Sequence, residues 1–528
     1  MPAHLQKCIE NSIRTHDGPP VRYQLQLKRV NLDKLPDKQS KLRKFTLGSR
    51  NSKYQNRTIL LVGATGTGKS TLINALVNYV MGVQFKDKVW FEIIADEKDR
   101  PQSDSQTSEI SVYEIFGFEG KTVPYSLTII DTPGYGDTRG KAHDEIVTQK
   151  LQNLFTVPDG VAVIDAVGFV LKASENRLDE RMACIFNSVT SLFAKDLEKN
   201  IVVMMTHSDG GEPTNALQAL EDAKIQCARD KNHVPIYFQF NNRQKEEIKA
   251  ERGVERAASF AFGTTEYGMK DFTDFLGETQ PKSLTNTIKV LKERERLTAC
   301  MQNLEGRVKE VEMKQRAIEN NREQLQKHQQ EMEKNKKFTI NVEETYKDKV
   351  DIDGWWDNKA VTCSRCEENC HYPGCTWAWD PSWCEVMKND YCTSCSGECH
   401  VSYHVKENWR YVSKTRIVQQ TLDDMKRKYE SNKALSDKNQ TLQEQMEEDM
   451  NNLKQTKNQL LNEAFDRIQQ LEKIALNADS VSTFIHLEFL MERMKEEDDQ
   501  EKLQKLERMK NRMDKRNQAG AKYYKQRS

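Results

Sequence analysis

The spacing of hydrophobic positions changes character along this chain. From 58 to 280, apolar runs bounded by polar turns (Ile59–Val62, Ile110–Ile115, Leu127–Ile130, Gly160–Leu171, Ile201–Met205, Pro235–Phe240) alternate with helix-period stretches. That alternation predicts an α/β domain whose mostly parallel sheet is covered on both faces. From 281 to 337 the period becomes that of a heptad. Leu297, Met301, Leu304, Val308, Val311, Ile318 and Leu325 fall at a and d, with Gln315 and Arg322 also at a positions, which predicts a coiled-coil helix. Residues 338–416 turn strand-like and cysteine-rich, framed by Phe338–Val342 and Val401–Val405. A second helical tract with drifting register covers 417–476, and a helical basic tail covers 477–528. Residues 1–57 are polar, with a turn at Asp17–Pro20 and a candidate strand around Tyr23–Leu27, and read as a leader whose role is packing.

Composition adjusts this picture little. A chain of 528 residues exceeds one core and suggests roughly three structural units. The 80 basic and 80 acidic side chains cancel, so no global field favours nucleic acid or anionic lipid. No apolar run approaches the roughly 20 residues that span a bilayer. Met1–His4 opens no secretory signal, so a cytoplasmic location is expected. Of 12 cysteines, Cys8, Cys184, Cys227 and Cys300 are scattered and the rest fall between Cys363 and Cys399.

The chemistry starts at Gly63-Ala64-Thr65-Gly66-Thr67-Gly68-Lys69-Ser70, which follows a strand and opens a helix at Thr71. Glycines let backbone N–H groups converge on phosphate oxygens, and a helix N-terminus adds partial positive charge. Lys69 is expected to reach the β- and γ-phosphates, and the Ser70 hydroxyl to ligate Mg²⁺. A loop hydroxyl near 100–107 would complete that coordination, with Thr107 preferred and Ser103 and Ser105 open. Asp131-Thr132-Pro133-Gly134 ends the next strand: Asp131 suits water-mediated contact with Mg²⁺, and the Gly134 amide suits the γ-phosphate. Residues 135–140 follow as a switch segment. Thr206-His207-Ser208-Asp209 closes a later strand, and Asp209 either reads N1 and N2 of guanine or caps a turn. Asn241-Asn242 ends the last strand, where a loop would close over the base.

This order of motifs resembles the immunity-associated (AIG/GIMAP-type) and septin-like P-loop GTPases over about 58–280. The resemblance implies a Ras-like sheet, GTP or GDP with Mg²⁺, slow hydrolysis in which Lys69 and Thr107 act, and nucleotide-dependent dimers across the G-domain face. By position, Gly63, Thr65 to Thr71, Asp131, Gly134, Thr206, His207, Asp209, Asn241 and Asn242 match the family's nucleotide contacts. Two departures stand out: the widespread N-K-x-D motif is T-H-S-D here, and Tyr135 stands where small GTPases carry a water-orienting Gln. A homodimer or larger oligomer through G domain and coil is expected, with further protein partners unspecified. A non-cycling scaffold with permanently bound nucleotide is the alternative.

Within the cysteine-rich segment, Cys363-x2-Cys366-x3-Cys370-His371 recurs as Cys392-x2-Cys395-x3-Cys399-His400, with Cys375 and Cys384 between. C-x2-C turns chelate tetrahedral metal, and so many thiols suit two structural Zn²⁺ ions whose ligand pairing the spacing leaves open. An iron–sulfur cluster and disulfides are the less favoured readings. Trp355, Trp356, Trp377, Trp379 and Trp383 would pack so small a module. Arg365 and Lys388 are too few cations for nucleic acid. The tail's basic excess after 500 leaves membrane contact to that segment alone, though a solvated, frayed helix end is the preferred reading.

Overall fold

A computed structural model describes residues 1–31, 43–94, 110–133, 150–151, 153–155, 160–175, 186, 189–244, 246, 252–352, 359–372, 375, 380–431, 442–474, 476, 481–496 and 499–512. The chain forms two compact units, residues 1–291 with 474–484 and residues 292–473 with 485–511, where length alone suggested three.

The first unit is built on β1 (Asn56–Val62), α1 (Lys69–Met81), β2 (Ser111–Ile115), β3 (Ser126–Asp131), β4 (Ala166–Lys172), β5 (Ile201–Thr206), α2 (Thr214–Asp222), β6 (Tyr237–Gln239) and α3 (Arg252–Glu278). Its sheet runs β6-β5-β4-β1-β3-β2, with β2 alone antiparallel among these strands. This is the Ras-like strand order, in a mixed sheet. β1 holds the centre because Ile59–Val62 are all fully buried, as a strand covered on both faces requires. Its side chains alternate between two cores. Leu60 and Val62 pack with Phe169, Val203 and Leu220 of α2. Ile59 and Leu61 pack with Leu72 and Leu76 of α1 and Phe272 of α3.

The polar N-terminal segment packs on this unit as strands, the one expected near Tyr23 among them. Arg43–Leu47 extends the main sheet parallel to β2, and Lys28–Asn31 pairs with it antiparallel at the edge. Ser12–His16 and Val21–Leu25 form a hairpin that adds Val89–Glu92 as a third strand. Half-buried edge strands carry many polar side chains, which is why the strands at Arg43–Leu47 and Lys28–Asn31 do not stand out in the sequence.

A buried ion pair closes the base of this unit. Asp165, 1% exposed, accepts from Arg57 Nη1 at 2.8 Å and from the Thr58 N–H at 2.7 Å. Arg57 also donates to the Gly277 and Thr279 carbonyls at the end of α3, at 2.8 and 3.0 Å. Arg57→Ala leaves Asp165 buried without its cation and frees those carbonyls. We expect about 3–5 kcal/mol of destabilisation, read as a lower urea midpoint for this unit by hydrogen exchange of β1 amides.

The second unit takes most of α4 (Thr285–Lys334), then β7 (Thr339–Asp351), β8 (Ala360–Cys363), β9 (Glu368–His371), β10 (His404–Glu407), β11 (Trp409–Thr421), α5 (Leu422–Ser431), α6 (Leu442–Ile474), α7 (Val481–Glu496) and α8 (Gln500–Arg512). β7 and β11 pair antiparallel along their whole length, from Thr339↔Thr421 to Asp351↔Trp409. The frame of the cysteine module is therefore this ribbon; of 401–405, Val401–Tyr403 is a single 3₁₀ turn and His404–Val405 opens β10, which pairs with β8 and not with the ribbon. Residues 417–421 belong to β11, so the second helical tract starts at Leu422.

α4 and α6 run antiparallel, because rising numbers on one meet falling numbers on the other. Cys300 Sγ lies 3.8 Å from Glu463, Glu312 lies 3.6 Å from Lys457, and Leu325 and Met332 pack with Leu442 and Met446. The tail, read as a frayed end, instead packs as far as Lys510. Leu487, Leu490 and Met494 of α7 and Leu503, Leu506 and Met509 of α8 are buried, and Lys510 pairs with Glu488 at 3.3 Å. Among the described residues no helix is long and apolar enough to cross a membrane.

Candidate functional site

β1 delivers the chain to a turn whose backbone excludes most side chains. Gly66 and Gly68 take φ of +81° and +88°, and a Cβ at Gly63 would stand 2.4 Å from the Val170 carbonyl oxygen. Gly68 caps α1, so Lys69, Ser70 and Thr71 occupy its first turn, where N–H groups face outward. Lys69 is 7% exposed and folds back over the loop, donating to the Gly63 carbonyl at 2.8 Å and the Ala64 carbonyl at 3.2 Å. Burial pulls its pKa down to about 8, against the opposing pull of the Asp131 charge. Thr67 Oγ1 donates to the Ala64 carbonyl at 2.9 Å, while the buried Thr65 hydroxyl has no partner among the described residues.

Asp131, fully buried, ends β3 beside this loop, and Thr132 Oγ1 fixes the strand end by donating to the Leu61 carbonyl at 2.8 Å. From the other side, Thr206 Oγ1 donates to the Thr67 carbonyl at 2.6 Å, tying the end of β5 to the loop. His207 takes a left-handed φ of 55°, and burial, helped by nearby Lys172, lowers its pKa. The sequence placed Thr206 and His207 here but gave no hint of the Thr206–Thr67 tie.

Asp209 is exposed and accepts the Gly211 N–H on one carboxylate oxygen at 2.9 Å. The turn-cap role is thus present at one oxygen, and the second oxygen stays in the exposed carboxylate. Asn241 N–H donates to Thr265 Oγ1 at 3.0 Å, and that hydroxyl donates to Asn242 Oδ1 at 3.2 Å. The buried Asn242 Nδ2 has no partner among the described residues. Gly268 allows α3 to lie this close, since a Cβ there would meet the Gln239 carbonyl oxygen at 1.9 Å. Thr107 and Gly134 lie outside the described residues, as do Ser103, Ser105 and 135–140. What the structure gathers at the C-terminal ends of β1, β3, β5 and β6 is the loop, Asp131, Thr206–Asp209 and Asn241–Asn242. In open α/β sheets that edge is where ligands bind.

The septin family model matches residues 53–155, which contain the loop, β2 and β3. Residues 53–155 of this P-loop domain are septin-like. Septin-12 of Rattus norvegicus is 41% identical over 80 residues, 15% of this chain and 19% of that protein. GTP-binding protein A of Dictyostelium discoideum is 24% identical over 164 residues, 31% of each chain. This chain therefore spans about a third or less of the length of these curated relatives. Among solved structures, Toc33 from Arabidopsis thaliana in complex with Mg²⁺ and GMPPNP is 15% identical, covering 43% of this chain and 88% of that one at a TM-score of 0.30.

Outside the septin-like domain, the cysteine-rich segment brings its ligands into three clusters. Cys363, Cys366, Cys395 and Cys399 form one, Cys370, Cys392, Cys395 and His404 a second, and His371, Cys375 and Cys384 a third. The expected ligand His400 is in none of them. Its Nδ1 accepts the Ser402 N–H at 3.3 Å and its ring stands edge-on to Tyr391. His404 takes its place because β8 and β10 pair with Cys363 opposite His404. Trp355, Trp356, Trp377 and Trp379 lie outside the described residues, and Trp383 is 68% exposed, so it does not pack the module.

The clusters fit zinc. Thiolates sharing one tetrahedral zinc stand ~3.8 Å apart, and Cys366–Cys399 and Cys375–Cys384 are separated by 3.5 and 3.7 Å. Those separations exceed an S–S bond by far. Backbone N–H groups point at the sulfurs, Cys366 N at Cys363 (3.4 Å), Cys395 N at Cys392 (3.4 Å) and Cys399 N at Cys395 (3.3 Å). Gly397 clears the space, since a Cβ there would meet Cys399 and Cys366 sulfurs at 3.0 and 3.1 Å. Buried Glu368 holds the second C-x2-C turn through the Ser396 N–H, and Asn303 of α4 bonds both Glu368 and the Ser394 carbonyl.

Proposed function

We propose that the septin-like domain binds GTP with Mg²⁺ and hydrolyses it slowly, acting as a nucleotide-dependent dimerising switch, while zinc shapes the cysteine module. The observation that carries this reading is Lys69, whose ammonium is held over the loop by two carbonyls that a β- or γ-phosphate would replace as partner. Ser70 and Asp131 would hold Mg²⁺, which neutralises charge on the phosphates. Asp209 would accept from guanine N1 and N2 through its exposed carboxylate, and the orphaned Asn242 amide stands where a base-closing loop is needed. Dimerisation is what the resemblance to septin-like GTPases implies. Tyr135, in place of a water-orienting Gln, favours the second reading, a nucleotide-bound scaffold that does not cycle.

Turnover of GTP, with ATP as control, over about a hundredfold range of protein concentration separates the two. A rate per chain that climbs with concentration supports the switch. A flat rate near zero with nucleotide still bound supports the scaffold.

Asp209→Asn exchanges an acceptor for a donor facing N1 and N2. We expect GTP affinity to fall about a hundredfold (~2.7 kcal/mol) and xanthosine triphosphate to bind better than GTP, measured by competition titration. An unchanged base preference removes the guanine assignment.

Lys69 also sets a pH dependence. Its pKa in the free domain is about 8, and phosphate charge raises it in the complex. Below pH 8 both states hold the proton and affinity is flat. Above pH 8 binding takes up a proton, so affinity falls by up to about tenfold per unit. Calorimetry at pH 8.5 in two buffers of different ionisation enthalpy reads that uptake directly.

A further inference from the structure

Ten potential ligands, eight thiols with His371 and His404, fall into three clusters, and Cys395 belongs to two of them. Three separate four-coordinate ions would need more donors than this, and two would leave donors unused. We propose that Cys395 is a bridging thiolate joining two zinc ions into one binuclear centre, with a third ion held separately by His371, Cys375 and Cys384. The proposal rests on the zinc reading above and deepens it.

Seven groups supply the eight positions of two tetrahedral ions only if one of them serves both. Cys363, Cys366 and Cys399 belong to one ion, Cys370, Cys392 and His404 to the other, and Cys395 is common. A thiolate has lone pairs enough to bind two ions, whereas the other candidates are committed. His404 turns Nε2 toward Cys395 at 3.8 Å and engages Nδ1 with the His400 carbonyl at 3.1 Å, leaving one nitrogen for metal. Glu368, the nearby carboxylate, is taken by Asn303 and the Ser396 N–H, each at 3.0 Å.

Charge agrees with this assignment. Six thiolates against two dications leave a net −2, after six thiol protons have gone to solvent. The amides of Cys366, Ser394, Cys395 and Cys399 all point at sulfur and spread that excess. Lys347 adds a cation beside the centre, donating to the Cys366 carbonyl at 3.1 Å. In the third cluster, His371 Nδ1 and Cys384 Sγ stand 3.2 Å apart and Cys375 completes three donors, so a fourth position falls to water or another group.

Cobalt(II) tests the bridge on the full chain, produced in cobalt-supplemented medium. Tetrahedral high-spin cobalt is paramagnetic, and a shared thiolate couples two ions so that their low-temperature EPR signal is lost. We expect three ions per chain and an EPR intensity of about one. Cys384→Ser removes the separate ion and leaves a bound pair with almost no signal, which needs no change at the bridge itself. Three ions, or two, with full intensity would overturn the bridge and keep the metal reading. A chain that binds no cobalt or zinc overturns both.

Discussion

Lys69→Ala abolishes measurable nucleotide binding while the unliganded domain stays folded. The ammonium of Lys69 is buried, and the cost of that burial outweighs the pull of the Asp131 charge, which lowers its pKa to about 8. Removing it frees two loop carbonyls and takes a cation from beside buried Asp131, so the thermal midpoint of the empty protein should fall while the domain remains folded. In the complex the same group would make charge-assisted hydrogen bonds to phosphate, worth about 1.5–3 kcal/mol each. Two of them lost weaken binding at least a hundredfold. Native chain with GTP at about a hundred times its dissociation constant should gain ~2.7 kcal/mol of stability, seen as a raised midpoint. The variant should show no such gain. A GTP-dependent shift that survives in Lys69→Ala would place the nucleotide elsewhere.

The parts of the site that were legible in the sequence are those where backbone geometry and chemistry impose residue types locally. Ile59–Val62 had to be apolar throughout to run through the middle of a covered sheet, and Gly66 and Gly68 had to be glycine-like to take positive φ. The strand ends carrying Asp131 and Thr206–Asp209 followed from the same logic. What escaped was decided by contacts between distant segments. Arg43–Leu47 alternates and is only half buried, so its place beside β2 comes from pairing and not from composition.

β7 and β11 are mostly half-exposed and largely polar, and only their register to each other makes them strands. The apparent symmetry of the two C-x2-C-x3-C-H copies misled at one position. His371 joins a cluster, but the second copy's His400 turns to Ser402, and strand pairing carries His404 in from outside the repeat. The heptad seam of α4 was readable, whereas the burial of Leu503, Leu506 and Met509 in a basic tail was hidden by the surrounding charge.

Withdrawing zinc with a chelator, in excess Mg²⁺, should unfold β8, β9 and β10 and spare nucleotide binding. The reason lies in what the module lacks. β8, β9 and β10 are four residues each, and the buried cluster around them is made mostly of the cysteines themselves with Val361, Val386 and Met387. So few apolar side chains cannot offset the backbone entropy of ordering such a stretch. On the zinc reading proposed above, metal supplies the difference: one structural zinc contributes about 10–16 kcal/mol in small zinc domains near neutral pH. Hydrogen exchange should therefore show protection lost across β8, β9 and β10. β7 and β11 should keep theirs, since they hold each other along their full length by main-chain pairing. GTP affinity should stay within about twofold, because the loop, Asp131 and Asp209 all belong to the other compact unit. If the cysteine segment keeps its protection after every metal ion is removed, its thiols are core side chains and not ligands, and the glycine at 397 and the amides aimed at sulfur would need another explanation.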